Sequence, residues 1–582
     1  MKKHCEVLII GAGPTGLTLA NYLGRRHVNT LLIEARDELI DYPRAVGIDD
    51  ESLRAMQGLG LVDDVLEHTV PDQQIRVVNG NGKIIAGVNP STREFGWPRR
   101  NGFVQPLVDR VLLDGARRFD NVEVQLSTEA IDLVQQDDSV LVTVRHGNEE
   151  TVVRANYVVG CEGGRSFTRQ KLGIAFEGNS RRKRGLVIDV AEDPLGTPHA
   201  VFGGDPKRGY ATLSLPHGIR RWEFTLMDDE DESLVESDAF VFELLKDHVK
   251  DPASLKIIRR RVYTHHARIA SRFRQGRVLL AGDAAHVMPV VAGQGWNSCI
   301  RDAMNLGWKL PAVVHGLASD ELLDTYADER RDHVQAMVDL SVGMSKLVTN
   351  NSKMASGLRD AVASVIDRIP KLKAYLSGQG FKPMPKYTRG VVVPRVQTDS
   401  KSVPIENADQ SIVGTLFPQP MVRTVNERVV LLDEATTDGW RVLVWNNDPT
   451  TFLDTETLAR LNRLGAKLIQ IVPAAQMNWA LQHASENVEV IGDISGVLKD
   501  WFHDHSTSAV VVRPDHVIAA EGLAQDLNNA VGQVLSNGYF KSTSDVLPVS
   551  SAAAVSDMPW SQFVQLDDDT QERGTPELHT SS

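Results

Sequence analysis

Two glycine-containing segments, far apart along the chain, carry the residues whose types and spacing predict chemistry. The first is Gly11-x-Gly13-x-x-Gly16, which follows a short apolar run and opens a helical pattern. The first glycine permits a tight turn, the second lets the backbone approach a pyrophosphate, and the third lets helix and strand pack closely. Glu34 follows Gly16 by 18 residues, where a carboxylate can accept hydrogen bonds from a ribose. The segment therefore predicts a dinucleotide site.

The second segment indicates a flavin rather than a nicotinamide cofactor. Gly282 and Asp283 stand where a predicted strand ends, and the Asp283 carboxylate can accept hydrogen bonds from ribityl hydroxyls. The loop from Pro289 to Gly295 and the helix after it can direct backbone N–H groups at the pyrimidine side of an isoalloxazine. A protein that binds NAD alone does not need this distant second contact. We therefore predict FAD as the cofactor.

The elements that must position these residues follow from the apolar periodicity, which predicts an α/β protein. We expect a Rossmann-like FAD-binding domain whose first part is residues 1–180 and whose second part, with a helical region, is residues 271–390. The strand patterns of residues 181–270 predict an inserted, mostly antiparallel β-sheet. Residues 391–545 predict a separate C-terminal α/β domain. Residues 546–582 are rich in Ser, Asp and Thr, a composition typical of a disordered tail.

Composition excludes several classes of function. The 582 residues carry a formal net charge of −13, which argues against a nucleic-acid partner because phosphate neutralisation needs a basic face. No stretch approaches the roughly 18 apolar residues of a membrane helix, so no membrane partner is predicted. The three cysteines are widely spaced and fit neither a disulfide framework nor a zinc site. A cytoplasmic enzyme is the expectation.

The motifs together resemble those of the group A flavoprotein aromatic hydroxylases. The resemblance covers roughly residues 5–390 and rests on Gly11–Gly16, Gly282–Pro289, Gly293–Asn297 and Asp302–Leu310. It implies FAD as cofactor and NADH or NADPH as co-substrate, and it implies that the sheet of residues 181–270 binds the substrate. With the residues argued above, it implies cofactor contacts at Gly11, Gly13, Pro14, Gly16, Glu34, Arg44, Gln105, Glu162, Gly282, Asp283, Pro289, Gly295 and Asn297.

One position departs from the pattern of this family. Where its members have Asp-Gly in a motif that contacts FAD and influences use of NAD(P)H, this chain has Glu162-Gly163. Ser166 and Arg169 of the same motif match. Because the carboxylate is kept on a side chain one methylene longer, we expect pyridine-nucleotide use to be retained but altered.

The reaction that the resemblance implies requires few protein groups. NAD(P)H reduces the FAD, O₂ adds to give a flavin C4a-hydroperoxide, and its distal oxygen attacks a phenolic ring. Because the cofactor supplies this chemistry, we predict no metal and no protein nucleophile. Adjacent residues of a strand face opposite sides, so His265 and His266 cannot easily share an ion.

Tyr263 and His265 share a face, and either could hydrogen-bond the phenol and help deprotonate it. A satisfied core tyrosine and a surface histidine are an equally good interpretation.

Several stretches are most similar to the 3-(3-hydroxyphenyl)propionate hydroxylases, among them Pro43–Glu51, Arg221–Phe224 and Phe381–Pro385. This similarity implies ortho-hydroxylation of that phenolic acid to its 2,3-dihydroxy product in aromatic catabolism. A carboxylate on the substrate calls for a cation in the pocket, and Arg208 and Arg221 are candidates, although a surface arginine is the favoured interpretation of each. A hydroxylase of a resorcinol- or alkylphenol-like substrate, a polyketide-tailoring monooxygenase and a non-catalytic flavin-fold binding protein remain as alternatives.

The C-terminal domain resembles the thioredoxin-like extension found in this branch of the family. It contains no cysteine, since the last is Cys299, so thiol-disulfide chemistry is excluded there. We expect this domain to have a structural role or to support a homodimer.

Overall fold

The computed structural model describes residues 1–205, 207–348, 368–394, 411–436 and 439–541. The tail that the sequence predicts to be disordered, residues 546–582, lies outside the described residues. In chain order, the described strands are β1 (His4–Ile10), β2 (Thr30–Ile33), β3 (Gly47–Asp49), β4 (Thr69–Val70), β5 (Ile75–Asn79), β6 (Ile84–Val88), β7 (Arg100–Phe103), β8 (Val122–Gln125), β9 (Thr128–Gln135), β10 (Val140–His146), β11 (Glu149–Gly160), β12 (Phe176–Ala191), β13 (Ala200–Gly204), β14 (Tyr210–Leu215), β15 (Ile219–Leu226), β16 (Lys256–Ala270), β17 (Arg274–Gln275), β18 (Val278–Leu280), β19 (His286–Val287), β20 (Met421–Arg423), β21 (Val429–Leu431), β22 (Arg441–Trp445), β23 (Lys467–Pro473), β24 (Val488–Asp493), β25 (Ala509–Val512) and β26 (Ile518–Gly522).

The helices connect and cover these strands. In chain order, the described α-helices are α1 (Pro14–Arg25), α2 (Asp50–Gly58), α3 (Val62–Leu66), α4 (Gln105–Ala116), α5 (Phe167–Lys171), α6 (Asp238–Leu245), α7 (Gly295–Val314), α8 (Thr325–Val348), α9 (Pro370–Ser377), α10 (Leu432–Thr436), α11 (Thr455–Arg463), α12 (Met477–His483), α13 (Val497–Asp504) and α14 (Leu527–Leu535). Within the described ranges, none of these helices is both long and apolar enough to cross a lipid bilayer.

The first sheet is the expected parallel, Rossmann-like sheet. Its strand order is β17-β18-β11-β1-β2-β8, and the five strands from β18 to β8 are parallel to one another. Val7 and Ile9 pack with the apolar side chains of α1, α4 and α7, whereas Leu8 and Ile10 pack beneath the β9-β10 hairpin. Because both faces are covered, β1 is an unbroken apolar run instead of an alternating pattern.

The second sheet is the mostly antiparallel sheet that the sequence predicts. Its order is β19-β16-β12-β15-β14-β13-β5-β6, and β13-β5 is its parallel pair. Strands β5 and β6 come from residues that the sequence assigned to the FAD-binding domain. They belong to this sheet because Ile75 and Val77 pack with Ala200 and Leu213. One face is closed by α6, and the opposite face turns toward the first domain, where the Arg221 guanidinium donates to the Pro43 carbonyl at 2.9 Å.

The C-terminal unit is an α/β domain built on a third, seven-stranded sheet. Its order is β21-β20-β24-β23-β22-β25-β26, with β22, β23 and β24 parallel and β25 and β26 antiparallel to their neighbours. It packs directly on the helices of the first domain. Trp440 meets Trp308 of α7 edge-to-face, with 5.6 Å between the ring centroids, and Arg513 pairs with Glu329 of α8 at 2.7 Å. The two domains therefore share a core.

Candidate flavin and substrate site

The turn between β1 and α1 has the shape that the three glycines predict. Gly11 has φ +107°, and a Cβ there would lie 2.7 Å from the Cys161 carbonyl oxygen. A Cβ on Gly16 would lie 2.0 Å from the Gly11 carbonyl oxygen, so both positions require glycine for packing. A Cβ on Gly13 would meet no atom within 4 Å. Gly13 caps α1 without a side-chain hydrogen bond, so open space and free helical N–H groups meet there, which suits a pyrophosphate.

Glu34 stands beside this turn at the end of β2. One of its carboxylate oxygens accepts the Ala12 N–H at 2.9 Å, and the other accepts the Arg36 N–H at 3.1 Å. The side chain is half-buried. Each oxygen keeps a lone pair, so the carboxylate can also accept a bond from a ribose hydroxyl.

The tertiary structure brings the Gly282-Asp283 segment onto the dinucleotide turn. Gly282 has φ +60°, and a Cβ there would lie 2.1 Å from the Thr15 hydroxyl oxygen of α1. The Asp302 carboxylate of α7 holds the segment, since it accepts the Gly282 N–H at 2.9 Å and pairs with His286 at 2.7 Å. Burial raises the pKa of Asp283, with the positive charge of Arg44 opposing. Two motifs that are distant in sequence thus form one site.

The loop from Pro289 to Gly295 leads directly into α7, as the sequence predicts, but Asn297 has a structural role. Its Oδ1 accepts the Asp49 N–H at 3.1 Å and the Ser52 hydroxyl at 2.8 Å. Its Nδ2 donates to the Gly47 carbonyl at 3.1 Å and the Gly293 carbonyl at 2.8 Å. These four bonds use the full hydrogen-bonding capacity of the side chain, and a contact of Asn297 with the cofactor stays a prediction.

The Gln105 side chain is hydrogen-bonded to the backbone of Arg44. The Gln105 Oε1 accepts the Arg44 N–H at 3.1 Å and the Ala45 N–H at 2.8 Å, which fixes the segment that presents the exposed Arg44 side chain. The Gln105 Nε2 donates to Asp109 Oδ2 at 3.0 Å. Sequence reasoning missed Asp109, although it lies one helical turn beyond Gln105. Burial raises the pKa of Asp109 to about 7, against the hydrogen bond from Gln105.

Asp109→Asn should therefore change how stability depends on pH. An aspartate that titrates near 4 when unfolded and about 7 when folded binds an extra proton in the folded state between these values. Stability is lost there as pH rises, by up to about 1.4 kcal/mol per pH unit. We expect the melting temperature of Asp109→Asn, relative to that of the unmodified protein, to rise between pH 4.5 and 7. Asp114→Asn, an exposed aspartate of the same helix, is the control. Parallel pH profiles for all three proteins would contradict the prediction.

The Glu162 carboxylate is engaged within its own turn. One oxygen accepts the Ser166 hydroxyl at 3.0 Å, and the other accepts the Thr168 N–H at 2.8 Å and the Thr168 hydroxyl. Arg169 of the same motif donates to the Ala284 carbonyl at 2.9 Å, which links this turn to the Gly282-Asp283 segment. The longer side chain of Glu162 thus reaches the start of α5. A direct contact of Glu162 with the cofactor stays a prediction.

Tyr263 and His265 do share a face of β16, and their rings meet edge-to-face at 5.1 Å. The Tyr263 hydroxyl is 3.4 Å from the Glu223 carboxylate, and its ring packs over Gly185. Burial and the neighbouring Glu223 raise the pKa of Tyr263 well above its usual range. A protonated phenol both donates and accepts hydrogen bonds, so a neutral Tyr263 can still hydrogen-bond a phenolic substrate. A role of Tyr263 or His265 in binding and deprotonating the phenol stays a prediction.

The two arginines suggested for the substrate carboxylate are already paired. Arg221 is buried and bound to both oxygens of Asp189, at 2.8 and 2.9 Å. Arg208 binds Glu230 through both of its terminal nitrogens and also donates to the Thr225 carbonyl at 2.7 Å. Each guanidinium thus has a carboxylate partner from within the chain, and a contact of Arg208 or Arg221 with the substrate carboxylate stays a prediction. The ion pairing was not visible from the sequence spacing.

A cavity of about 130 Å³ lies between the second sheet, the Pro289–Gly295 loop and α8. None of Tyr263, His265, Arg208 and Arg221 lines it. Its polar lining includes Arg100, Gln294 and Lys382. The sequence predicted none of the three as a site residue, although Gln294 and Lys382 lie in segments that carry the family resemblance. Its apolar walls include Ile75, Val77, Phe202, Val291, Leu340 and Met344. A mainly apolar cavity with a few polar groups is typical of a small-molecule site.

Three carboxylates near this cavity, those of Asp49, Asp50 and Glu51, lie close enough together to suggest a metal site. Cations of the chain instead lie among them. Arg301 pairs with Glu51 at 2.7 Å, and Lys382 pairs with Asp49 at 2.8 Å. The cluster is therefore an ion-pair network that joins α2, α7 and the segment after α9.

The cofactor chemistry agrees with the geometry of the site. The open space at Gly13, the uncapped start of α1 and the half-buried Asp283 next to Cys299 together fit the pyrophosphate and the ribityl chain of FAD. The carboxyl ends of β1 and β2 meet there, which is where dinucleotides bind to parallel sheets.

Comparison with known proteins gives the same result. The family described as "FAD binding domain" matches residues 4–341, and the family described as "HcaD C-terminal domain" matches residues 414–537. A Mycolicibacterium smegmatis protein named 3-(3-hydroxy-phenyl)propionate/3-hydroxycinnamic acid hydroxylase is 48% identical over 89% of this chain and 91% of its own length. An Escherichia coli protein of the same name is 44% identical over 91% of this chain and 94% of its own.

Solved structures share the fold. The flavin-dependent monooxygenase PieE, in complex with FAD and substrate, has a TM-score of 0.73 at 21% identity. The match covers 91% of this chain and 99% of the PieE chain. The p-nitrophenol 4-monooxygenase PnpA from Pseudomonas putida has a TM-score of 0.61 at 26% identity, with 66% of this chain and 98% of its own covered. By its fold, its cofactor motifs and these relatives, this chain belongs to the FAD-dependent aromatic hydroxylases.

Proposed function

We propose that the protein hydroxylates 3-(3-hydroxyphenyl)propionate ortho to its phenol group, giving the 2,3-dihydroxy acid, at the expense of NAD(P)H and O₂. The observation that carries the proposal is the 44–48% identity, over about nine-tenths of the chain, to hydroxylases named for this acid and for 3-hydroxycinnamic acid. Both named compounds join a 3-hydroxyphenyl ring to a three-carbon carboxylic acid. A site for either one therefore has to bind the same three groups, a phenol hydroxyl, an aromatic ring and a carboxylate.

The residues proposed to hold FAD lie at the meeting point of the two motifs. The Gly13 backbone and the start of α1 would receive the pyrophosphate, Glu34 the ribose, and Asp283 the ribityl chain, with the Pro289–Gly295 loop at the ring. Bound FAD would supply the transfer of reducing equivalents from NAD(P)H to O₂ and of one oxygen atom to the ring. The protein's own part is to orient the substrate and to exclude water from the cavity.

The polar atoms of the cavity support a phenolic acid as ligand. The Gln294 Oε1 is buried without a hydrogen-bond donor, and the Arg100 Nε is buried without an acceptor. A phenol hydroxyl supplies a donor and a carboxylate supplies an acceptor, while the apolar walls suit the ring between them. An unsubstituted phenol would satisfy only one of the two groups.

A substrate panel tests this proposal. We expect purified protein to carry FAD and to oxidise NADH or NADPH much faster with 3-(3-hydroxyphenyl)propionate or 3-hydroxycinnamate than with resorcinol or a 3-alkylphenol. Mass spectrometry should show a gain of one oxygen atom, and NMR should place it ortho to the original hydroxyl. Preferred turnover of resorcinol, of an alkylphenol or of a polyketide would establish one of the alternative hydroxylases. A flavin-free protein without turnover would indicate a binding scaffold.

We also propose a structural role for the C-terminal domain, including support of a homodimer, and a reducing compartment such as the cytoplasm. The ion pairs and the shared core between this domain and α7 and α8 support the structural role. The three cysteines are free and buried, which suits a reducing compartment. Analytical ultracentrifugation of the purified protein would test the dimer, because a single monomeric species would contradict it.

A further inference from the structure

Arg100 stands at the start of β7, and its side chain lines the cavity. Its Nη1 lies 3.9 Å from the position that a Cβ on Gly293 would take, so the guanidinium is next to the Pro289–Gly295 loop. Phe202 and Val291 line the same space. A cation is therefore held at the wall of an apolar cavity, beside the loop that the family motifs place at the flavin ring.

The charge of Arg100 has no carboxylate partner among the described residues. Its Nε is buried without a hydrogen-bond acceptor, and burial lowers its pKa to about 10. The neighbouring cations, in contrast, have carboxylates close to them. Arg99 lies 3.8 Å from Asp50, and the Nζ of Lys382, which also lines the cavity, is bound to Asp49 at 2.8 Å and to Glu51 at 3.1 Å. An unpaired, desolvated cation is costly to a fold, and an anion that enters the cavity removes that cost.

We propose that Arg100 binds the carboxylate of the aromatic substrate and thereby makes the cavity selective for ring compounds with an acidic side chain. The inference rests on the proposed function and names the residue that recognises the acid. Arg100 presents a planar, forked donor that matches a carboxylate. Lys382, the other cation among the described residues that line the cavity, is neutralised by Asp49 and Glu51.

The test compares an acid with its neutral analogue in the FAD-loaded protein. The dissociation constant of each ligand is read from the change in flavin absorbance, and kcat/KM from product formation. The ligands are 3-(3-hydroxyphenyl)propionate and the matching alcohol, 3-(3-hydroxypropyl)phenol. Arg100→Met should weaken binding of the acid at least about 30-fold, the loss expected for a charge-assisted hydrogen bond in a dry site, and should change binding of the alcohol less than about threefold.

Two further variants keep the test informative. Arg99→Met removes the adjacent arginine, which has its own carboxylate neighbour, and should leave the preference for the acid unchanged. Arg100→Lys keeps the charge without the fork and should recover part of the affinity for the acid. The FAD content and melting temperature of each variant show whether the fold survives. If Arg100→Met does not fold, the proposal still requires that Arg100→Lys weakens binding of the acid more than binding of the alcohol.

The possible failures are distinguishable. If the unmodified protein hydroxylates the acid and Arg100→Met keeps the same preference for it, the assignment of Arg100 is wrong and the proposed function stands. Equal weakening of acid and alcohol, or loss of FAD without a selective effect on the acid, gives Arg100 a role toward the flavin or the fold and also overturns the assignment. If the unmodified protein neither binds nor hydroxylates the acid, the proposed function fails and the assignment fails with it.

Discussion

Gly13→Val is expected to yield a folded protein that binds FAD at least about 100-fold more weakly, because it removes backbone hydrogen bonds to a charged group worth about 1.5–3 kcal/mol each. A Cβ on Gly13 would meet no protein atom within 4 Å, so the side chain can be accommodated by the fold. The space that it fills is the space proposed for the pyrophosphate. This position separates cofactor binding from folding, whereas Gly16 does not, since a Cβ there would lie 2.0 Å from the Gly11 carbonyl oxygen.

The measurement is the ratio of flavin to protein absorbance after purification, followed by titration of the apoprotein with FAD. Gly58→Val is the matched control, because Gly58 also has open space at its Cβ but lies at the end of α2. Circular dichroism and the melting temperature of the apoproteins show that both variants are folded. Full FAD occupancy in Gly13→Val would contradict the placement of the pyrophosphate at this turn.

Arg513→Met is expected to lower the free energy of unfolding by about 3–5 kcal/mol, the cost of breaking a buried ion pair by removing one partner. The Arg513 side chain is fully buried and donates to both oxygens of Glu329, at 2.7 and 2.8 Å, and to Asp515. Without it, the Glu329 carboxylate keeps Lys309 but loses the cation that joins the C-terminal domain to α8. We expect the two domains to separate at lower urea concentration than in the unmodified protein.

The dependence of this effect on pH has a definite sign. Burial by itself would raise the pKa of Glu329, but Arg513 and Lys309 lower it to about 2. Because the pKa of the folded state is the lower one, this stabilisation is present above the unfolded value of about 4.3 and is lost as pH falls toward 2. Urea denaturation at pH 7 measures the main effect, and the difference between the two proteins should shrink at pH 3.

The control for Arg513 is an exposed ion pair whose carboxylate, that of Asp332, lies on α8 as Glu329 does. Arg389 pairs with Asp332 at 3.1 Å, and both side chains are more than half exposed, so Arg389→Met should cost no more than about 1 kcal/mol. If Arg513→Met were as stable as Arg389→Met, the buried network would not be what attaches the C-terminal domain, and the apolar contact of Trp308 with Trp440 would have to carry the interface.

The parts of the protein that the sequence determined by itself are those with local physical causes. The turn at Gly11, Gly13 and Gly16 is required by backbone conformation and close packing within one β-α unit, so spacing alone predicts it. The parallel sheet follows from unbroken apolar strands, and the start of α7 follows from the glycines of the preceding loop. The family resemblance rests on these same segments, and the fold and the cofactor were therefore predictable.

Tertiary structure alone decided which polar side chains remain available to a ligand. Arg100, Arg208 and Arg221 look alike in sequence, yet Glu230 and Asp189 neutralise two of them and leave Arg100 at the cavity. Asn297 belongs to a cofactor motif, but its amide is used by Gly47, Asp49 and Ser52, which reach it only in the folded chain. A hydrogen bond or an ion pair depends on partners that are remote in sequence. The role of a polar residue therefore follows from the fold, whereas the glycine turn follows from its neighbours in the chain.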